Sequence, residues 1–377
     1  QLASDLPAGV TLTADGKMLP WDAAYATNYY KKKHFNIDET EIANYFPMEK
    51  TIKGLLDIYE QFFGLRFNEA SIPHVWHEGV RLLEVYDAAS DKLLGYFLLD
   101  LYPRDNKYSH ACHVSIVPSI YGANNELLPA LSLVIANFPQ STATKPSLLK
   151  RKDVTTFFHE FGHALHALLG RTQIASLSGT SVKRDFVEMP SQMLEEWLWD
   201  SAILKQVSGH YQTGAPLPDD LIERILALKN FNPARFVQTQ LFYASLSLDY
   251  FKEGAQKDTF QIYKDLSTKI LKHSAFSDEK HMYAAFGHLT GYGAKYYGYL
   301  WSKVFALDLF AEIKKHGLLN PEIGKKYVHD VIGRGGSDEP MVLLEAFLGR
   351  EPNQEAFLKD LGLDEVQELS VTKTSVI

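Results

Sequence analysis

Between Asp153 and Gly170 the sequence encodes a helix with two dissimilar faces, and the rest of the chain has to accommodate both. At 100° per residue, Val154, Phe157, Phe158, Phe161, Leu165, Leu168 and Leu169 fall on one broad face, and His159, His163 and His166 gather on the opposite side. Such a helix packs by its apolar face and presents its imidazoles as a group. Asp153 is expected to cap its start and Gly170 to end it. Positions i and i+4 stand one above the other, about 5–6 Å apart at Cβ, so His159 and His163 can reach one ion. The run His159-Glu160-Phe161-Gly162-His163 is therefore an H-E-x-x-H pattern, two zinc-binding histidines and a glutamate base. The same pentapeptide also arises by chance in proteins that bind no metal. The phasing of the helix and a carboxylate-bearing segment downstream distinguish this occurrence.

A catalytic zinc takes three protein ligands and keeps one position open for water. Two sources can supply the third ligand. His166 shares the helix, although a straight helix makes it hard for three such histidines to converge. The alternative is a carboxylate from the next helix, expected to begin near Asp185 in Asp185-Phe-Val-Glu-Met-Pro-Ser-Gln-Met-Leu-Glu-Glu-Trp197. Glu188 would lie in its first turn, where Pro190 is tolerated because the amides there lack an intrahelical partner. Glu195, seven residues on, would orient a ligand histidine. Glu160, at the edge of the histidine face, is placed to take a proton from a water acidified by the metal.

Elsewhere the chain reads as mainly α, a multi-helical fold of the zincin type with a small β-sheet near residues 80–138. Asp22 is expected to cap a helix over Ala23–Lys33, and Asp38 another from Glu39. Pro47 precedes an amphipathic helix through Leu55, Leu56, Tyr59, Phe62 and Phe63. Val80–Tyr86 and Leu93–Leu101 read as a hairpin turning at Asp87–Asp91. Ala111–Val117, read as buried, and Leu131–Asn137 add strands. From Asp153 to the end helices dominate, with the metal-binding pair in 153–205 and loops at 171–184, 208–218 and 287–293. No Ser- or Pro-rich linker divides the chain, so 1–377 is kept as one catalytic region.

The 377 residues carry a net charge of −8, which disfavours nucleic acid as a partner. The basic run Lys31–Lys33 is too short to change that. Leu127–Phe138, a notable charge-free apolar stretch, is too short to cross a bilayer, so no membrane partner is expected. The chain opens at Gln1 without Met and without a signal-peptide-like run. Cys112 is the single cysteine and is read as an inert core thiol. One cysteine permits no internal disulfide and favours a reducing compartment, the cytoplasm, with the mitochondrion as alternative.

The loop Gly287-His288-Leu-Thr-Gly291-Tyr292-Gly293, followed by Tyr296 and Tyr299, sets a histidine and tyrosines on a flexible backbone. Phenols there can donate to a developing oxyanion. Tyrosines at helical spacing can equally be amphipathic core.

At this point the sequence resembles a known family. Phe158-His-Glu-Phe-Gly-His-Ala-Leu-His166, Ser178-Gly-Thr180 and Asp185-Phe-Val-Glu-Met-Pro-Ser-Gln-Met-Leu194 are similar to the thimet oligopeptidase and neurolysin family of zinc oligopeptidases. Pro20-Trp-Asp22, Tyr45-Phe-Pro-Met48, Gly54-Leu-Leu-Asp-Ile-Tyr59, Ala136-Asn-Phe138, Phe286-Gly-His-Leu289 and Tyr296-Tyr-Gly-Tyr-Leu-Trp301 follow in family order. The resemblance implies a mostly helical enzyme that cleaves short peptides inside a deep channel. It implies one Zn2+ per chain on His159, His163 and Glu188, with Glu160 as base. It implies catalytic or substrate contacts from His288, Tyr296 and Tyr299, and from Gly291 and Tyr292 of the loop. That loop is one residue shorter than in thimet oligopeptidase and closer in wording to the mitochondrial intermediate peptidase branch. The resemblance covers only the second half of such proteins. The missing first half, which forms one wall of the channel, is thus an expected partner alongside short peptides. Peptidyl-dipeptidase action and intermediate-peptidase-like presequence processing are the alternatives within this class. A peptide-binding fragment without activity is the alternative outside it.

Overall fold

The computed structural model describes residues 2–254 and 256–363. The expected continuation of helix through 364–377 lies outside the described residues. Helices α1 (Asp22–Phe35), α2 (Glu39–Ala43) and α3 (Met48–Phe63) come first. Strands β1 (Leu65–Ala70), β2 (Arg81–Asp87), β3 (Leu93–Asp100), β4 (Cys112–Val117), β5 (Ile120–Tyr121), β6 (Leu127–Leu128) and β7 (Ala130–Ile135) follow. The remainder is helical: α4 (Arg151–Leu169), α5 (Met189–Glu195), α6 (Ser201–Val207), α7 (Asp219–Ala227), α8 (Pro233–Phe251) and α9 (Thr259–Ile270). After these come α10 (Met282–Ala285), α11 (His288–Gly291), α12 (Gly298–His316), α13 (Pro321–Asp330), α14 (Pro340–Leu348) and α15 (Glu355–Asp360). The mainly α architecture with one small mixed sheet is as the sequence predicts.

The main sheet has the order β1-β2-β3-β7-β4. The expected hairpin is β2–β3, while β3 and β7 run parallel and β4 closes the edge antiparallel to β7. Strand β1 extends the sheet beyond the expected 80–138. Leu65-Arg-Phe-Asn-Glu-Ala70 carries little strand signal because it is short and polar and follows α3 after a single glycine. The segment at Cys112 is not a buried strand. Edge strand β4 leaves Val114, Ile116 and Val117 exposed, and Cys112 is only half-buried.

Helix α4 lies across β3, β7 and β4, and α5 packs on α4 with α12 beyond it. The apolar face of α4 is buried as its periodicity requires: Val154, Phe157, Phe158, Phe161, Leu165, Leu168 and Leu169 all lie in the main core. Tyr59 and Phe62 of α3 enter the same core, Tyr59 stacking on Phe161. A second, smaller cluster gathers Phe242, Leu246, Tyr263, Phe286 and Tyr296.

Several boundaries move for local reasons. Asp22 is in the first turn of α1, not its cap, and Trp21 precedes the helix. Asp38 does cap α2, accepting from the Thr40 amide at 2.9 Å. Helix α4 starts two residues before Asp153, whose carboxylate accepts from the Lys150 amide at 3.0 Å; an acid three residues into a helix reaches back this way. Gly170 does follow the last residue of α4.

Asp100, at the end of β3, fixes the loop leading to β4. Its carboxylate accepts from Arg104 at 2.7 and 2.8 Å, from Trp76 Nε1 at 2.9 Å, and pairs with Lys107 at 2.9 Å. Burial alone would raise its pKa, but the bonds from Arg104, Lys107 and Trp76 prevail and hold the carboxyl well below the ordinary range. Asp100→Asn is expected to cost about 3 kcal/mol at neutral pH, because Lys107 would be left buried without its anion. The stabilisation is full above the unfolded carboxyl value of about 3.9 and fades as pH falls through the lower folded value. Denaturant titrations should therefore show the two proteins converging on strong acidification.

A candidate metal centre

Glycine at one position decides whether the site can form. A Cβ on Gly162 would lie 2.9 Å from the Ser191 backbone, so only glycine lets α5 approach α4 this closely. That approach carries Glu188, immediately before α5, onto the histidine face. The helix begins at Met189, later than the expected Asp185, because the chain is still turning there. Pro190 sits in its first turn, where no amide donor is required.

His159, His163 and Glu188 present ligand atoms that all lie within 4.8 Å of one another. Three of these atoms form a nearly equilateral triangle. Nε2 of His159 is 3.1 Å from Glu188 Oε2, Nε2 of His163 is 3.1 Å from the same oxygen, and the two nitrogens are 3.2 Å apart. Ligand bonds of 2.0–2.1 Å in a tetrahedral set would place donor atoms about 3.3–3.4 Å apart, so the triangle fits one face of such a set. Glu188 is 2% exposed, and a buried carboxylate needs a positive partner. Burial opposes charge on His159, but Glu188 and Glu195 more than offset it and lift its pKa well above the ordinary value. Burial likewise would raise the Glu188 pKa, and the two histidines instead hold it well below the usual range. The donor set suits a metal cation.

Glu195 Oε1 is 2.7 Å from His159 Nδ1, the orienting contact expected of it. His166 is not a third ligand. It is 1% exposed and has no hydrogen-bond partner for either ring nitrogen among the described residues, and burial depresses its pKa to about 3. On the helical wheel it groups with the other histidines, yet it is buried.

Glu160 is buried beside the triangle and lines a cleft of about 360 Å3 with Lys152, Thr155, Thr156, His159 and Glu195. Burial raises its pKa against the opposing pull of His159 and His163. That direction suits a proton acceptor working near neutral pH.

The Gly-rich segment is partly helical, with α11 inside the expected loop 287–293. Tyr292 donates its phenol hydrogen bond to Glu188 Oε1. Tyr299 lies with its ring 5.1 Å from that of Tyr292 and 5.4 Å from that of exposed His288. Tyr296 is 7% exposed and packs in the second core cluster against Tyr243 and Phe286, which favours the packing alternative for that ring. Gly291 is exposed, and nothing crowds its backbone. The sequence offered no cue for Thr155 and Thr156 in the cleft, nor for His113, whose ring on β4 stacks 6.3 Å from that of His163.

A helix-borne pair of histidines, a carboxylate from the next helix and a buried glutamate beside them, over the edge of a mixed sheet, define a metallopeptidase-like centre. The chain matches Peptidase family M3 over residues 5–363, and it belongs to that family. It is 38% identical over 358 residues to a thimet-like oligopeptidase of Dictyostelium discoideum, covering 93% of this chain and 53% of that protein. It is 36% identical over 355 residues to oligopeptidase A of Escherichia coli strain K12, covering 92% and 52%. To the human mitochondrial intermediate peptidase it is 30% identical over 357 residues, covering 93% and 50%. The chain thus spans about half the length of these curated relatives. A solved structure described as "The Structure of CHT" shares the fold with a TM-score of 0.51 at 12% identity, covering 97% of this chain and 69% of that one.

Proposed function

We propose that this chain is the catalytic region of a zinc metallopeptidase that hydrolyses internal bonds of short peptides. The observation that carries the reading is the triangle of His159, His163 and Glu188 with Glu160 buried at its side. Zinc, when bound there, would act as a Lewis acid and acidify water. His159, His163 and Glu188 would hold it, and Glu195 would keep the His159 ring in the tautomer that leaves Nε2 free. Glu160 would accept the proton of the attacking water and return it to the leaving amine. Tyr299, whose pKa is raised by burial and by Glu188, keeps its proton and would donate to the oxyanion of the tetrahedral intermediate. His288, exposed beside Tyr299, and the exposed Gly291 backbone would contact the substrate.

Edge strand β4 supports an extended substrate. It lies at the open side of the sheet and packs against α4, so a peptide can add to it as a further strand with its scissile bond beside the metal ligands. The single free thiol suits the cytoplasm; among the described residues no helix is long and apolar enough to cross a membrane. The decisive experiment is zinc content together with cleavage of a quenched fluorescent peptide by this chain. Zinc uptake without turnover would favour a peptide-binding fragment that needs the other half of its relatives' length. No zinc and no turnover would end the reading.

A further inference from the structure

The two oxygens of Glu188 do different things. Oε2 lies 3.1 Å from both histidine nitrogens, whereas Oε1 points away and accepts the phenol of Tyr292. A carboxylate free to rotate can offer an ion one oxygen or two; a donor on one of them turns the carboxylate and biases it toward offering the other.

Tyr292 is itself held in place. The Arg184 guanidinium sits over its ring at 5.1 Å, from the same segment that carries Glu188. The surrounding loop is tied to that segment repeatedly. Tyr297 donates to Asp185 at 2.6 Å, Ser302 to the Asp185 carbonyl at 2.7 Å, and Gln192 to the Tyr299 carbonyl at 3.0 Å. At Gly298 a Cβ would lie 2.9 Å from Asp185 Cα, so glycine there is what allows the two backbones to meet. Residues 292–302 and 184–192 are thereby joined around one carboxylate.

We propose that Tyr292 is a positioning residue of the metal site, holding Glu188 as a one-oxygen ligand, and that the Gly-rich loop is therefore part of the metal centre as well as the substrate cleft. This rests on the reading of His159, His163 and Glu188 as zinc ligands. Contacts that orient a metal ligand are commonly worth ten- to a hundredfold in affinity.

The test is zinc affinity, measured by competition with a chromogenic chelator, and the visible absorption spectrum of the Co2+-loaded protein. Tyr292→Phe is expected to weaken zinc binding about 10- to 100-fold and to shift the Co2+ bands as Glu188 gains freedom. In thermal unfolding the metal-free variant should fall below the metal-free wild type by no more than the one lost hydrogen bond to a buried carboxylate, about 1.5–3 kcal/mol. Tyr297→Phe removes a tie of the same loop without touching Glu188 and should stay within about twofold of wild type. Wild-type affinity and spectrum in Tyr292→Phe would overturn the proposal, and a raised KM alone would make Tyr292 a substrate contact. Equal weakening in both variants would also overturn it, since the effect would then belong to the loop as a whole. A wild-type chain that takes up no zinc would sink the metal-site reading first and this proposal with it.

Discussion

Glu160→Gln is expected to retain zinc and lose about a hundred- to ten-thousandfold in kcat. Glutamine has nearly the same shape, so the buried position beside His159 can still be filled. Its amide cannot accept a proton, and the raised pKa that burial confers on Glu160 has no counterpart in the variant. Metal content by atomic absorption should stay at the wild-type level, and steady-state kinetics should place the loss in kcat with little change in KM. Near-normal turnover in a zinc-loaded variant would remove Glu160 from the chemistry. Loss of zinc together with activity would instead give it a structural role in the centre.

His163→Ala is expected to abolish metal binding. The variant would lose the one nitrogen that stands within 3.2 Å of both His159 Nε2 and Glu188 Oε2. It would also take away one of the two imidazoles that face buried Glu188. The effect on stability should depend on metal. A ligand that binds only the folded state stabilises it by about 2.7 kcal/mol when present at a hundred times its Kd. Stripping the wild type with a chelator should therefore lower its Tm, while the same treatment should leave His163→Ala unchanged. Stoichiometric metal in His163→Ala would show that the ion sits elsewhere.

Much of the centre was legible before any coordinates. Periodicity sorted α4 into an apolar face and a histidine face, and the seven apolar positions are all core. The strands read from runs of strand-forming residues, β2, β3, β4 and β7, are all present, and so is the Pro47 boundary before α3. Helix ends were less legible: Asp153 and Asp22 look like caps, but Asp153 lies two residues inside α4 and Asp22 is the first residue of α1. Strand β1 was missed because a short, charged segment shows no alternation strong enough to stand out.

Local sequence determined which side chains share a face, since that follows from 3.6 residues per turn. It also determined that the chain would be mainly helical and that His159 and His163 stand side by side. Only the tertiary structure decided among residues the wheel treats alike. His166 and His163 both lie on the histidine side, yet His166 is sealed off and His163 meets Glu188 at 3.1 Å. Likewise Tyr292, Tyr296 and Tyr299 differ little in sequence, yet one donates to Glu188, one is core and one lies partly buried beside His288. The reason is that burial and hydrogen bonding depend on which element packs across the face. That was settled by the close approach of α5 to α4 at Gly162 and of α12 to the Asp185 segment at Gly298, contacts between residues far apart in the chain.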